Sequence, residues 1–457
     1  VGFLDEENTS MSPHITNEPK IKVGIVERRR EVMGTFNGLF RVHDDCLIEG
    51  NFRVIVEADK VILFNSTGAE VARQKGILCS PLSGSTFTLL DVTIGVHFHW
   101  ERNQEQTFRG NLILMSADND TLVAVNEILM EDYLESVISS EMSSEAPLEF
   151  LKVHAITSRS WLVTTLRRFR KGSEPGKELP GPPGHEGEII RWYGREDHIL
   201  FDVCADDHCQ RYQGVTRLIS KNARDAVHAT RGVFLTHDGE VCDARYHKAC
   251  GGLTDNFKSA WEDMPVSYLS SVSDSAISHK PIETEADAER WITGGPEAYC
   301  NTQDKNLLTQ ILPSFDRETA DFFRWKVVYS RTELEEIIQE KSGMDFGNLL
   351  QLTPVERGPS GRIVRLKIEG SEKTAIVGKE LEIRRWLSRS HLYSSAFVVS
   401  AERDASGLPT RFILHGAGWG HGIGLCQIGA AVMATKGYSA EDILKHYFRG
   451  TRLQKLY

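Results

Sequence analysis

One glutamate beside an apolar helix stripe offers the most chemistry. In the run Leu134, Val137, Ile138, Glu141, Met142, the carboxyl group follows Val137 by four residues and Ile138 by three, so it shares their helix face. Near the C-terminus of that helix it is partly desolvated and meets the negative end of the helix dipole, and both effects raise its pKa. A carboxylic acid that stays protonated near neutral pH is what a general acid for glycosidic cleavage requires. Spacing alone fits a surface glutamate between two helices at least as well, which is the commoner use of such a position. A second group is His198, Cys204 and Cys209, with His208 beside Cys209. Thiolates and imidazole at this spacing suit tetrahedral Zn²⁺, and three protein ligands would leave one position open, with His208 an alternative ligand. A Cys204–Cys209 disulfide or unligated thiols are the competing readings.

The third feature is the run GAGWGHGIGLCQ. Its glycines at 416, 418, 420, 422 and 424 allow a tight backbone path close to a ligand. It is not a dinucleotide fingerprint, because no G-x-G-x-x-G fits. His421 and Gln427 can donate hydrogen bonds to a ligand, although His421 can equally bond within its own turn. Tyr246, His247 and Thr254 stand in a similar relation to a hairpin turning at Asp238-Gly239, where Cys242 and Cys250 are close enough for a bridge. Lys152 and Arg159 follow on the next helix and could steady Glu141 or a substrate; a solvated face or a structural ion pair is the commoner use of such residues.

The elements that must position these groups read as α+β, with β-rich regions and a helical catalytic region whose helices pack around antiparallel or mixed sheets. A chain of 457 residues exceeds what one core usually serves. Residues 1–20 read as a flexible tail and 21–110 as a β-rich region of alternating, β-branched runs. Residues 111–275 read as the first part of the catalytic region, with Glu141, the Cys/His cluster and the hairpin. Within them a first helix ends near Met142, a second opens at Pro147, and a proline- and glycine-rich loop, KGSEPGKELPGPPGHEGE, follows. Residues 276–400 read as an inserted helical segment followed by β structure, and 401–457 as the glycine-rich segment closing the catalytic region. There Gly437 stops one helix, and Ser439 and Asp442 have capping-box spacing for the last. The net charge of −11 argues against nucleic acid as the main partner. Eight cysteines are too sparse for a disulfide scaffold, and no run reaches the ~20 apolar residues of a membrane span. The chain starts at Val1 without an apolar leader, as a processed or truncated chain would.

Three blocks, in order, carry a family resemblance. NEILMEDYLESVISSEMSSEAPLEFLKVHAITSRSW resembles the signature of the stage II sporulation protein D and amidase-enhancer family, with Tyr133, Leu134, Val137, Glu141, Met142, Glu149, Leu151, Lys152, Ala155, Arg159 and Trp161 in the matching places. YHKACGGLTDNFKSAW and GWGHGIGLCQIGAAVMATKGYSAEDILKHYFRGTRL resemble the family's middle and closing blocks. The departures are Ser143 for proline, Glu135 for glycine and His154 for glutamine. His154 lines the groove or packs on a helix face. The resemblance implies a lytic transglycosylase that cuts peptidoglycan glycan strands between N-acetylmuramic acid and N-acetylglucosamine. Its catalytic acid would be Glu141, and a 1,6-anhydro end would be left without a paired carboxylate. It implies a glycan groove lined by Tyr246, His247, Thr254, His421 and Gln427, and zinc held by His198, Cys204 and Cys209. It further implies an extracytoplasmic location, periplasmic or secreted. The enhancer name adds an alternative: a non-catalytic glycan-binding module that stimulates a cell-wall amidase partner. A zinc hydrolase at the Cys/His cluster is a weaker third reading, since no H-E-x-x-H occurs.

Overall fold

The structure, a computed structural model, describes residues 17–43, 46–96, 101–118, 120–170, 187–193, 198–314, 316–317 and 321–457. The proline- and glycine-rich loop lies outside the described residues except for its last two positions.

The molecule is α+β. Ten strands between Lys20 and Leu129, joined by Val203–Cys204, form one eleven-stranded sheet. Their alternation sets the faces: in Lys20–Arg29, Ile21 and Val23 point inward while Lys20 and Lys22 point to solvent. Val203–Cys204 runs parallel to Val23–Gly24 at the end of this sheet. A Cβ on Gly24 would stand 2.5 Å from the Phe201 ring, so the glycine admits the approach of the segment leading to Cys204.

Helix α1, Met130–Glu141, follows directly from the last of these strands, and α2, Leu148–Arg170, packs beside it. Tyr133, Leu134, Val137 and Ile138 of α1 and Leu151, Ala155 and Leu162 of α2 join the strand residues in one continuous core. The start of α1 lacks a cap from its own N-cap residue, Leu129. Instead the Glu18 carboxylate accepts from the Glu131 amide at 2.9 Å and the Pro19 carbonyl from Met130 at 3.0 Å. The expected tail therefore ends before residue 18.

Residues 276–400 contribute to two cores. The short helices Glu285–Thr293 and Lys305–Ile311 come first, and Leu307 and Ile311 belong to the main core. A separate core then builds up between Trp325 and Leu414, with the helices Arg331–Ser342 and Glu380–Trp386 against two small sheets. The expected division at residue 400 falls inside the strand Phe397–Arg403, so the smaller core extends past it. The last helices, Gln427–Thr435 and Ala440–Tyr447, return to the main core, and Ser439 caps the second by accepting from the Asp442 amide at 3.2 Å.

Candidate active site

Glu141 is the last residue of α1, and its side chain is 8% exposed. Its Oε1 accepts from the Arg211 amide at 3.0 Å and from the Tyr246 hydroxyl at 2.9 Å. Among the described residues Oε2 makes no hydrogen bond, so one oxygen is anchored and the other is available. The carbonyl of Glu141 accepts from Lys248 Nζ at 2.9 Å, which supplies a positive charge to the helix C-terminus. Lys248 pairs with Asp316 at 2.8 Å, and Arg211 pairs with Asp207 at 2.6 Å and Asp316 at 3.3 Å. Burial pushes the Glu141 carboxyl above its usual range; the positive charges of Arg211 and Lys248 pull the other way without cancelling it. Tyr246 is held well above its ordinary value by burial and then by Glu141, so its hydroxyl stays a donor.

Distant parts of the chain meet here because Tyr246–His247 pairs in parallel with Leu425–Cys426. Gln427, 1% exposed, stands 2.9 Å from His154 Nε2, and the His154 ring lies 4.8 Å from that of Tyr246. His247 Nδ1 donates to the Ile423 carbonyl at 3.2 Å, and the Ile423 amide donates to His421 Nδ1 at 3.0 Å. His421 thus bonds within its own turn while its ring faces Trp261 at 4.9 Å. Gly418, Gly420, Gly422 and Gly424 all have positive φ, as the run predicts. Their tightness is toward the protein itself: a Cβ on Gly422 would meet the Arg362 guanidinium at 2.2 Å, and one on Gly424 the Arg245 carbonyl at 2.2 Å.

Burial pushes both His154 and His247 down to about 3. The unfolded chain takes up these protons near pH 6.5, whereas the folded protein does not until about pH 3. Stability from the two neutral rings is therefore present above pH 6.5 and is lost as the pH falls below it. The loss amounts to about 1.4 kcal/mol per pH unit for each ring. His154→Gln keeps a partner for Gln427 and should remove one histidine's share of this acid slope in denaturant titrations between pH 6.5 and 5. An unchanged slope would show that His154 is not held neutral.

The Cys/His cluster also assembles. His198, Cys204, His208 and Cys209 present ligand atoms that all lie within 4.8 Å of one another. Cys209 Sγ is 3.4 Å from His198 Nε2 and 3.5 Å from His208 Nδ1, and Cys204 Sγ is 3.9 Å from His208 Nδ1. A tetrahedral zinc with bonds of about 2.3 Å to sulfur and 2.0–2.1 Å to nitrogen has S···N edges of roughly 3.5 Å. The donor set fits, and His208 stands as a fourth donor where three ligands and an open position were expected. Among the described residues no disulfide joins Cys204 to Cys209 or Cys242 to Cys250. Cys209 is two residues before Arg211, so an ion here would fix the loop whose amide holds Glu141.

Other sequence candidates have structural partners instead. Arg159 is fully buried and forks onto Glu131 at 2.9 and 2.6 Å, so it is an ion-pair residue of the helix pair and does not steady Glu141. Lys152 pairs with Glu149 at 2.6 Å on its own helix. Thr254 Oγ1, buried, accepts from the Val272 amide at 2.8 Å and so ties two chain segments together. Sequence reasoning passed over Lys248, Arg211 and Asp316. Lys248 was within reach of it, because it stands two residues after Tyr246. Asp316 carries no local signal.

The geometry defines a class: an α+β protein with a buried carboxyl group anchored at a helix end and a Cys/His cluster near the loop beside it. Residues 118–237 match the family described as "Stage II sporulation protein", and residues 255–424 match a family described as a domain of unknown function. The match covers the first of the three motif blocks, so this part of the chain is similar to the stage II sporulation protein family. An uncharacterized protein of Brachyspira hyodysenteriae is 25% identical over 73% of this chain and 68% of its own length. Stage II sporulation protein D of Bacillus subtilis is 24% identical over 73% of this chain and 76% of its own. The Amidase enhancer of the same organism is 24% identical over 70% of this chain and 40% of its own length. Among the described residues no helix is long and apolar enough to cross a membrane.

Proposed function

We propose that the protein acts on the bacterial cell wall as a peptidoglycan lytic transglycosylase, with Glu141 as its single acid and base. The observation that carries this reading is the Glu141 carboxyl itself: buried at a helix end, anchored through Oε1, free at Oε2, and biased toward its protonated form. The protonated carboxyl gives its proton to the leaving glycosidic oxygen as the bond to C1 of the muramic sugar breaks. The carboxylate then takes the proton of the same sugar's 6-hydroxyl, whose oxygen bonds to C1. The proton returns to Glu141 and no water is consumed. Arg211 and Lys248 steady the transient carboxylate, while Asp207 and Asp316 balance their charge.

Such a substrate lies outside the cytoplasm, periplasmic or beyond. We assign zinc to the Cys/His cluster. With four protein donors its role is structural, and this disfavours a zinc hydrolase, which needs an open coordination position. The similarity to an Amidase enhancer supports the second reading, a glycan-binding module for an amidase partner.

Mass spectrometry of muropeptides after digestion of glycan strands, with and without stem peptides, separates these readings. Anhydro-muramic ends support the transglycosylase, reducing ends a hydrolase, and binding without new ends the module. Tyr246→Phe provides a finer test, because it removes the hydroxyl donor to Oε1 and leaves the ring. Losing a bond that favours the carboxylate should move the alkaline limb of the kcat profile up by as much as about one pH unit, with a lower kcat plateau. An unmoved limb would mean that Tyr246 does not act on Glu141.

A further inference from the structure

A second group of potential metal ligands stands apart from the Cys/His cluster. Cys250, Asp274, Cys300 and Cys426 come from four separated points of the chain, all are buried, and their ligand atoms lie within 4.8 Å of one another. Cys250 and Cys300 sulfurs are 3.6 Å apart, and Cys426 Sγ is 3.9 Å from Asp274 Oδ2. A zinc ion with bonds of about 2.3 Å to sulfur and 2.0–2.2 Å to oxygen has S···S edges near 3.8 Å and S···O edges near 3.6 Å. The observed separations are those edges to within a few tenths of an ångström.

The surroundings are built for thiolates. The Cys250 amide donates to Cys426 Sγ and the Gly252 amide to Cys250 Sγ, each at 3.3 Å. The Tyr447 hydroxyl fixes Asp274 through Oδ1, and the Cys300 amide donates to Oδ2 at 2.8 Å, leaving Oδ2 turned to the sulfurs. Three thiolates and a carboxylate around Zn²⁺ carry a net charge of about −2. Two buried or half-buried guanidiniums stand against the same main chain: Arg362 Nη1 donates to the Cys250 carbonyl and Arg324 Nη1 to that of Gly251, each at 3.1 Å.

We propose that Cys250, Asp274, Cys300 and Cys426 bind one zinc ion that clamps the segment between the strands Tyr246–His247 and Leu425–Cys426 onto the helical core. Cys250 and Cys426 flank the segment 255–424, while Asp274 and Cys300 lie within it. Cys426 is also the register partner of His247, next to Tyr246. The ion therefore ties the second matched family region to the strand that carries a hydrogen bond to Glu141. Its binding displaces the thiol protons, so loading weakens as the pH falls.

The full chain, purified under reducing conditions, should be assayed for zinc by inductively coupled plasma mass spectrometry. Wild type, Cys204→Ser with Cys209→Ser, Cys300→Ser and Asp274→Asn would be compared, with circular dichroism confirming that each is folded. The expected content is two ions per chain in wild type and one in the Cys204/Cys209 variant. Cys300→Ser and Asp274→Asn should each lose one ion relative to wild type. Counting the sites separately means that an empty Cys/His cluster would not hide a filled second site. Cobalt loading of the Cys204/Cys209 variant should give an intense thiolate-to-metal absorption band that Cys300→Ser weakens. A measurement on wild type alone guards against unfolded variants: a chelator under native conditions should expose Cys250, Cys300 and Cys426 to a thiol reagent. Two results would overturn the proposal. One is a zinc content unchanged by both Cys300→Ser and Asp274→Asn. The other is a wild-type mass lower by two hydrogens with Cys250 and Cys300 recovered in one linked peptide, which would make the pair a disulfide.

Discussion

Glu141→Gln is expected to lower kcat for glycan cleavage by at least about a thousandfold while leaving the protein as stable as wild type, or more so. The activity loss follows from one residue serving as both acid and base, where each proton transfer is typically worth 10²–10⁴-fold. The stability follows from geometry. The amide oxygen of a glutamine accepts from the Arg211 amide and the Tyr246 hydroxyl as Oε1 does now. The sign of the pH effect agrees. Burial raises the folded-state pKa of Glu141, so stability is fully present at low pH and declines as the pH rises through the ordinary carboxylate range toward the raised value. The substitution removes that decline, and urea titrations of the two proteins should diverge on the alkaline side. An inactive variant that is also strongly destabilised would recast Glu141 as a structural residue.

Arg159→Ala should do the opposite, costing about 3–5 kcal/mol of stability without altering the chemistry of the molecules that remain folded. Arg159 has no exposed surface, and its guanidinium bonds Glu131 through two nitrogens and the Val233 carbonyl at 3.0 Å. Among the described residues, truncation leaves the buried Glu131 carboxylate with only the Gly232 amide at 3.4 Å and the Tyr457 hydroxyl. The paired replacement Arg159→Met with Glu131→Gln should recover much of the loss, because breaking one half of a buried pair costs more than removing both. Activity per folded molecule, measured below the unfolding transition, should stay within a few-fold of wild type. Lost activity at unchanged stability would restore Arg159 to the substrate site.

The α1–α2 pair was legible because its apolar residues recur at helical spacing, and the early strands because theirs alternate. The position of Glu141 at the end of α1 was legible for the same reason. What surrounds Glu141 was not, because Arg211, Tyr246, Lys248 and Asp316 are 70 or more residues away and meet it only through long-range packing. Arg159 illustrates the limit from the other side: its place in a motif says nothing about the direction of its guanidinium, which packing with Glu131 decides. The helix Arg331–Ser342 was readable and passed over. Ser330 caps it by accepting from the Glu333 amide at 3.1 Å, and Gly343 ends it at φ 70°. The second cysteine group was out of reach, since nothing in the local sequence gathers residues 250, 274, 300 and 426.

Digestion of peptide-free glycan strands in heavy-oxygen water with wild type and Glu141→Gln, followed by mass measurement of the new ends, decides whether Glu141 is the single acid and base. Wild type should give anhydro-muramic ends that carry no heavy oxygen, and Glu141→Gln no new ends. Reducing ends labelled by the solvent, or cleavage that persists in the variant, would contradict that role.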